Sequence, residues 1–193
     1  MSAAIDHGMM GPYTVEDWLA MDPPIDGSRL ELLWGHLHMR PAPAGQHQTA
    51  AVNLLFIVKQ ALRAADRSDL FVANAVNVRI STAWRTALIP DVVVLTRKPV
   101  GVSFDAEELV LAVEIWSPGN RRVERETKMA AYAAAGVPFL WTIDQGDELR
   151  GWSLVAYRLA EGRYVEENTI QAYKPATITA SPVSIKLDLN ELD

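Results

Sequence analysis

Ile89-Pro90-Asp91-Val92-Val93-Val94-Leu95 and, beyond a loop carrying Pro99 and Gly101, Leu109-Val110-Leu111-Ala112-Val113-Glu114-Ile115-Trp116 are short apolar runs bounded by turn residues. Runs of this length, rich in β-branched residues, read as strands covered on both faces and placed centrally in a sheet. Each contains one carboxylate where the pattern calls for core. Asp91 opens the first run and Glu114 interrupts the second. An ionised carboxylate inside a sheet needs a cation, a metal or hydrogen bonds to offset its desolvation. Taken singly, either acid has a plain alternative as a strand-end or salt-bridged group that reaches solvent. The two together point to a site.

Downstream, the chain turns at Pro118-Gly119-Asn120, and Arg121 to Ala135 is rich in helix formers and stops at Gly136, a C′ residue. Phe139 to Ile143 supplies the next strand. From Glu114 to Ser117 a strand advances about 10 Å, and seven residues of helix packed back across the sheet return about the same distance. That spacing predicts Lys128 abreast of Glu114. Two carboxylates on adjacent strands with an amine beside them offer oxygen ligands for Mg²⁺ and a fixed positive charge, the equipment of metal-assisted phosphodiester hydrolysis.

Upstream, Thr14 and Asp17 have capping-box spacing ahead of Val15, Trp18 and Leu19, which predicts a short helix ended by Asp22-Pro23-Pro24. Arg29 to Trp34 and His36 to Arg40 flank Gly35 as a hairpin. Val52, Leu55, Phe56, Lys59 and Leu62 fall at helical spacing, predicting a helix over 46–65 with that stripe inward. Leu70 to Ile80 alternates as one strand. Trp152–Leu159 and Tyr164–Tyr173 around Glu161-Gly162-Arg163 predict a C-terminal hairpin, and Val183, Ile185 and Leu187 alternate after it. The reading is an α/β (α+β) protein of one domain over 1–193, with a core at about 29–144 and C-terminal strands at about 150–187.

Composition narrows the chemistry. The chain has 193 residues, 49% of them hydrophobic and 22% charged, which fits one globular domain with a sizeable core. Without cysteine there is no disulfide, thiolate metal site or thiol nucleophile, so a metal must bind oxygen or imidazole. A net charge of −6 weighs against constitutive polyanion binding without excluding a local basic face. Met1 to Asp6 lacks the basic and apolar regions of a signal peptide, and a cytoplasmic protein is expected. The 15 residues from Met129 to Ile143, broken by Gly136-Val137-Pro138, fall short of a membrane span.

Pro90-Asp91, Glu114-Ile-Trp-Ser-Pro118, Lys128 with Tyr132, Gly136-Val-Pro138 and Trp141-Thr-Ile-Asp144 together resemble the Uma-two family of restriction-endonuclease-like proteins, within the PD-(D/E)XK nuclease superfamily. The likeness extends upstream through Glu31-Leu32 with Gly35 and through His47, covering most of Thr14 to Asp144. It implies a restriction-endonuclease-like fold, a mixed central sheet flanked by helices, acting on DNA with Mg²⁺ or Mn²⁺. The superfamily pattern places lysine two residues after the glutamate. Trp116 stands there, and the resemblance implies that Lys128 supplies the amine from the helix.

On this reading Asp91 and Glu114 are catalytic residues and metal ligands, Lys128 stabilises developing charge or orients water, and Glu31 adds a ligand or a base. The alternative for Glu31 is a hairpin salt bridge with Arg29 or Arg40. Arg121, Arg122 and Arg125, beside Lys128, suit gripping a phosphate backbone, against a solvated face paired with Glu124 and Glu126. His47 is as well explained by packing or capping as by phosphate contact and stays outside the core set. His36 and His38 are expected on a solvated strand face. Most of the six tryptophans should be core. A homodimer would serve cutting of both strands. The competing reading is a catalytically silent DNA-binding or protein-interaction module that keeps the fold.

Overall fold

The computed structural model describes residues 11–146 and 151–193. Helix α1 (Val15–Leu19) begins at Thr14 with the capping box in place, the Thr14 side chain accepting from Asp17 N and the Asp17 side chain from Thr14 N. Strands β1 (Arg29–Leu33) and β2 (His36–Arg40) form the hairpin, turning through Trp34 and Gly35, both at positive φ. Helix α2 spans Gly45–Ala64. Its buried face overlaps the expected stripe only in part: His47, Ala50, Ala51, Leu54, Val58 and Leu62 point inward and Leu55 packs against them, while Val52 and Phe56 are exposed. Two alanines let the helix axis approach the sheet closely, and this outweighs the bulk of the residues on the other stripe.

The expected strand over Leu70–Ile80 is two strands, β3 (Phe71–Asn74) and β4 (Asn77–Ser81), broken at Ala75 with φ +49°. Of the run Ile89–Leu95 only Val92–Leu95 is strand, β6, and a separate short strand, β5 (Thr86–Leu88), precedes it across Pro90. At both breaks the chain passes from one sheet to another. The two crossings lie side by side, Ala75 N donating to Asp91 O. After β7 (Ser103–Asp105) come β8 (Leu109–Trp116), helix α3 (Arg122–Ala134), β9 (Phe139–Asp144), β10 (Ser153–Ala160), β11 (Arg163–Gln171), β12 (Ala176–Ile178) and β13 (Ile185–Leu187). The expected start of the C-terminal strands at about 150 lies outside the described residues.

One sheet has the order β2-β1-β5-β4-β7, another β11-β10-β9-β8-β6-β3, and β12 pairs with β13. In the six-stranded sheet β8 and β9 are parallel, joined through α3, and the other pairs are antiparallel. Its strands feed two cores by alternation. Val92, Val94, Leu111, Val113 and Ile115 pack with α2 and the C-terminal segment. Val93, Leu95, Ala112 and Leu140 pack with α3 and with Leu33, Val78, Leu88 and Phe104 of the five-stranded sheet. Helix α1 covers the far side of that sheet through Val15, Trp18, Leu32 and Ala87. This is a mixed α+β architecture of sheets flanked by helices. No described helix is long and apolar enough to cross a membrane.

Candidate active site

Side-chain parity brings the charges together. Glu114 shares its face of β8 with Ala112, which packs toward α3, and Lys128 lies on the buried stripe of α3 with Ala131 and Tyr132. Arg29 and Glu31 share a face of β1 with Leu33, and Arg40 stands opposite Arg29 in register. The expected convergence is met: the Lys128 ammonium lies 3.0 Å and 3.2 Å from the two Glu114 oxygens and 2.8 Å from Glu31 Oε1. Lys128 has no exposed surface, and Glu31 and Glu114 are each 1% exposed. The Tyr132 hydroxyl donates to Glu114 Oε1 at 2.7 Å, and Ile89 N donates to Glu31 Oε1 at 2.9 Å. Glu31 Oε2 is buried and accepts no hydrogen bond.

Asp91 sits where β6 begins and β8 runs on past it. Its amide donates to Val113 O, and its Oδ2 accepts from Ile115 N at 2.8 Å. Oδ1 meets Arg29 Nη1 at 2.5 Å and His47 Nε2 at 2.8 Å. Burial by itself would raise the Asp91 pKa, but the hydrogen bond and charge of His47, the Arg29 guanidinium and the Ile115 amide hold it down at about 2. Glu114 goes the other way. Burial, with Glu31 and Asp91 nearby, raises its pKa despite the opposing pull of Lys128 and Arg40. Burial and the same acids lift the Tyr132 phenol well above its ordinary value, so its hydroxyl stays a donor.

Arg40 completes the cluster. Its Nη1 stands 3.7 Å from Glu31 Oε2, 3.6 Å from Glu114 Oε2 and 3.6 Å from Glu124 Oε1. Trp116, at the position where the superfamily pattern puts lysine, carries the charged groups of Arg40, Arg125 and Lys128 around its ring at 5.4–5.7 Å from the centroid. A cleft of about 570 Å³ opens over the cluster, lined by Arg29, Arg40, His47, Asp91, Asn120 and Glu124 among others. Asp91 reaches this cleft directly, while Glu31, Glu114 and Lys128 are not among its lining residues.

The remaining sequence candidates separate. Arg121 and Arg122 are exposed at the start of α3, and Arg122 pairs with Glu126 at 2.6 Å, the solvated-face arrangement. Arg125 turns toward the sheet, bonding Asp144 and donating to Ser117 O. Glu31 pairs with Arg40 as its plain alternative required, but also with Lys128, and Arg29 goes to Asp91 instead. His36 and His38 are exposed on β2. Trp18, Trp116, Trp141 and Trp152 are buried, while Trp34 and Trp84 pack against one another with tilted rings, half exposed, at two neighbouring turns. His47, Tyr132 and Arg40 are site neighbours that sequence reasoning did not place there. The signal for His47 was its position three and four residues before the small Ala50 and Ala51 on the buried stripe. For Tyr132 it was the four-residue step from Lys128.

The donors suit a hard divalent ion in kind, since they are carboxylate oxygens and Glu31 Oε2 lacks a hydrogen bond. Their placement does not enclose one: among the described residues no three His, Asp or Glu side chains are grouped so as to hold a metal ion. Asp91 and Glu114 each retain acceptor capacity beyond the bonds they make.

The family model described as "Putative restriction endonuclease" matches residues 15–190. The chain belongs to this Uma-two family. The match spans nearly all the described elements, from α1 to the C-terminal segment, and so includes every residue of the charged cluster. No curated protein matches the chain. Among solved structures, a protein from Anabaena variabilis titled "putative nuclease belonging to DUF820" is similar at a TM-score of 0.66 and 18% identity, over 94% of this chain and 97% of that one. At that identity the likeness is one of fold, and it covers most of the Uma-two chain.

Proposed function

We propose that this protein is a metal-dependent endonuclease that hydrolyses DNA phosphodiester bonds, with Mg²⁺ or Mn²⁺ held by Asp91 and Glu114. The observation that carries the reading is the meeting of Glu31, Glu114 and Lys128, from three separate elements, behind a cleft whose wall carries Asp91, in a chain of a restriction-endonuclease family. A bound divalent ion supplies Lewis-acid polarisation of a phosphoryl oxygen and a more acidic water. The protein does the rest. Asp91, ionised at every pH above about 2, keeps a carboxylate at the cleft wall. Lys128, fixed between two glutamates behind the cleft wall, would act on negative charge developing on the phosphate through its field and not by contact. Glu31 Oε2, free of hydrogen bonds, is an acceptor for a proton from the attacking water. Arg121 and Arg122 offer exposed guanidinium groups to the backbone, with Arg125 held closer to the sheet. Two copies related by a two-fold axis would cut both strands.

The second reading, a silent module that keeps the acids as structure, is favoured by the internal pairing of Glu31, Glu114 and Lys128 and their near-complete burial. Supercoiled plasmid with Mg²⁺ or Mn²⁺ separates the two. The wild type should nick or linearise it, and folded Asp91→Ala and Glu114→Ala proteins should lose roughly 100-fold or more in rate. Cleavage that persists in both variants overturns the assignment, and an inert wild type favours the silent module.

A further inference from the structure

Trp34 and Trp84 are each 47% exposed and stand on adjacent turns, β1–β2 and β4–β5, with ring centroids 5.5 Å apart and planes tilted by 41°. Two large aromatic surfaces left in water forgo the burial that Trp116 and Trp141 obtain. The turns nonetheless hold them firmly. Thr86 is buried, and its Oγ1 accepts from Trp34 N at 3.3 Å and donates to Trp84 O at 3.0 Å, so one hydroxyl ties both tryptophan backbones. Gly35 N donates to Arg85 O at 2.9 Å and Trp84 N donates to Ser81 Oγ at 3.1 Å. Trp34 and Arg85 are kept at φ +54° and +47°, left-handed conformations that cost free energy in residues other than glycine. A pair of aromatic faces is thus both presented and fixed in place before any partner arrives.

The same hairpin leads from this pair to the cleft. His36 stands opposite Leu33, His38 opposite Glu31 and Arg40 opposite Arg29, so the two histidines share the face of the hairpin that carries the acidic cluster. Arg29, His38 and Arg40 line the cleft, and His36 lies two residues beyond, toward the tip, with both histidines exposed. From Arg29 to Trp34 the strand advances roughly 16 Å. The arginines of this wall are already matched by acids, Arg29 by Asp91 and Arg40 by Glu31, Glu114 and Glu124. Its grip on phosphates is therefore modest, and what it adds is aromatic surface. A duplex hides its base faces in its own stack and presents phosphates, whereas a single strand offers base faces to aromatic side chains. We propose that the Trp34–Trp84 pair is a stacking platform for an unpaired base, and that the β1–β2 hairpin guides a single-stranded stretch of DNA from it, past His36 and His38, into the cleft. This rests on the endonuclease reading above and names its substrate class, DNA with an unpaired segment beside the cut.

The test is binding of fluorescein-labelled oligothymidylate of about 16 nucleotides, and of a duplex of equal length, to the full chain in EDTA, where a metal-dependent enzyme cuts neither. Wild type should bind the single strand about tenfold more tightly than the duplex, and folded Trp84→Ala should lose about tenfold in single-strand affinity, the worth of one stacked base, with Trp84→Phe keeping most of it. Unlabelled oligothymidylate should also quench the tryptophan emission of wild type with the midpoint of the binding curve, since a base on the platform covers the exposed pair. This measurement decides the matter if Trp84→Ala does not fold. Undiminished single-strand binding by folded Trp84→Ala, emission that stays unquenched while the strand binds, or a duplex bound as tightly as the single strand overturns the platform; a protein partner docked on the tryptophans would give the first of these results. Wild type that binds neither form overturns it likewise. In each of these cases plasmid cleavage by wild type still upholds the endonuclease reading. An inert wild type whose strand binding depends on Trp84 removes the nuclease and leaves the platform standing.

Discussion

Lys128 divides one ammonium between two glutamates with no surface exposed, and each partner comes from a different sheet. Lys128→Met would leave Glu31 and Glu114 buried without their hydrogen-bonded cation. The expected loss is about 3–5 kcal/mol of stability, read from the urea midpoint. The double variant Lys128→Met with Glu114→Gln should recover part of it, because one of the stranded charges is gone.

Asp91 and Glu114 make opposite contributions as pH falls. Asp91 is depressed in the folded state, so its contribution is whole above its ordinary value of 3.8 and is lost as pH drops through about 2. Glu114 is raised, so its charge opposes folding at neutral pH and acidification through its folded pKa relieves that strain. Denaturant midpoints across the acid range should show a gain as pH falls through the raised pKa of Glu114 and then a fall between about 3.8 and about 2. Glu114→Gln should erase the gain and Asp91→Asn should shrink the fall. Identical profiles in the variants and wild type would contradict these assignments.

Among the elements, the β1–β2 turn is the most tightly specified. Trp34 and Gly35 both have positive φ, and a Cβ on Gly35 would stand 2.7 Å from Pro12 Cβ. Gly162 has a similar φ at the β10–β11 turn but nothing within 4 Å. Gly35→Ala should therefore lower stability by about 1–3 kcal/mol, clearly more than Gly162→Ala, by thermal unfolding of the two variants side by side. A displaced β1 would carry Glu31 with it, so metal binding should also suffer in the first variant only.

Where the chain stays within one sheet, its elements were legible: β8 runs over the residues its apolar run indicated, and α3 brings Lys128 to Glu114 as the rise per residue requires. Where it changes sheets they were not. Alternation through Leu70–Ile80 is the same whether one strand or two carry it, and only the left-handed Ala75 marks the passage. Strands β5 and β7, three residues each, are too short to show a period. The face of α2 was misjudged because hydrophobic bulk is visible in a sequence, whereas the close approach allowed by Ala50 and Ala51 depends on what lies opposite. His47 was lost with that face. Arg40 could be suspected as a partner of Glu31, but its reach to Glu114 and Glu124 required three strands and a helix to be in place.

Across the whole molecule the six-stranded sheet separates two tasks. Glu114 and Lys128 lie on one face, while α2 and the C-terminal segment, with Ile178, Ile185, Leu187, Leu189 and Leu192, seal the other, and of α2 only His47, in its first turn, reaches Asp91 and the cleft. Leu189 is fully buried there. Leu189→Ala should cost about 2–5 kcal/mol in thermal or denaturant unfolding. Below its lowered melting temperature it should bind Mn²⁺ as wild type does. Loss of metal binding in the folded variant would show that the two faces are not independent.

The bridge from Lys128 to both sheets also bears on how the chain finds its pairing. A shift of β1 by a single residue along β2 or β5 would turn Glu31 to the opposite side, toward α1, and bring an aliphatic neighbour against the ammonium. Such a misthreaded hairpin would bury an ion against hydrocarbon, an error far costlier than the slipped ladder itself. The polar cluster thus acts as a checkpoint on assembly, admitting only the alignment in which acid meets base.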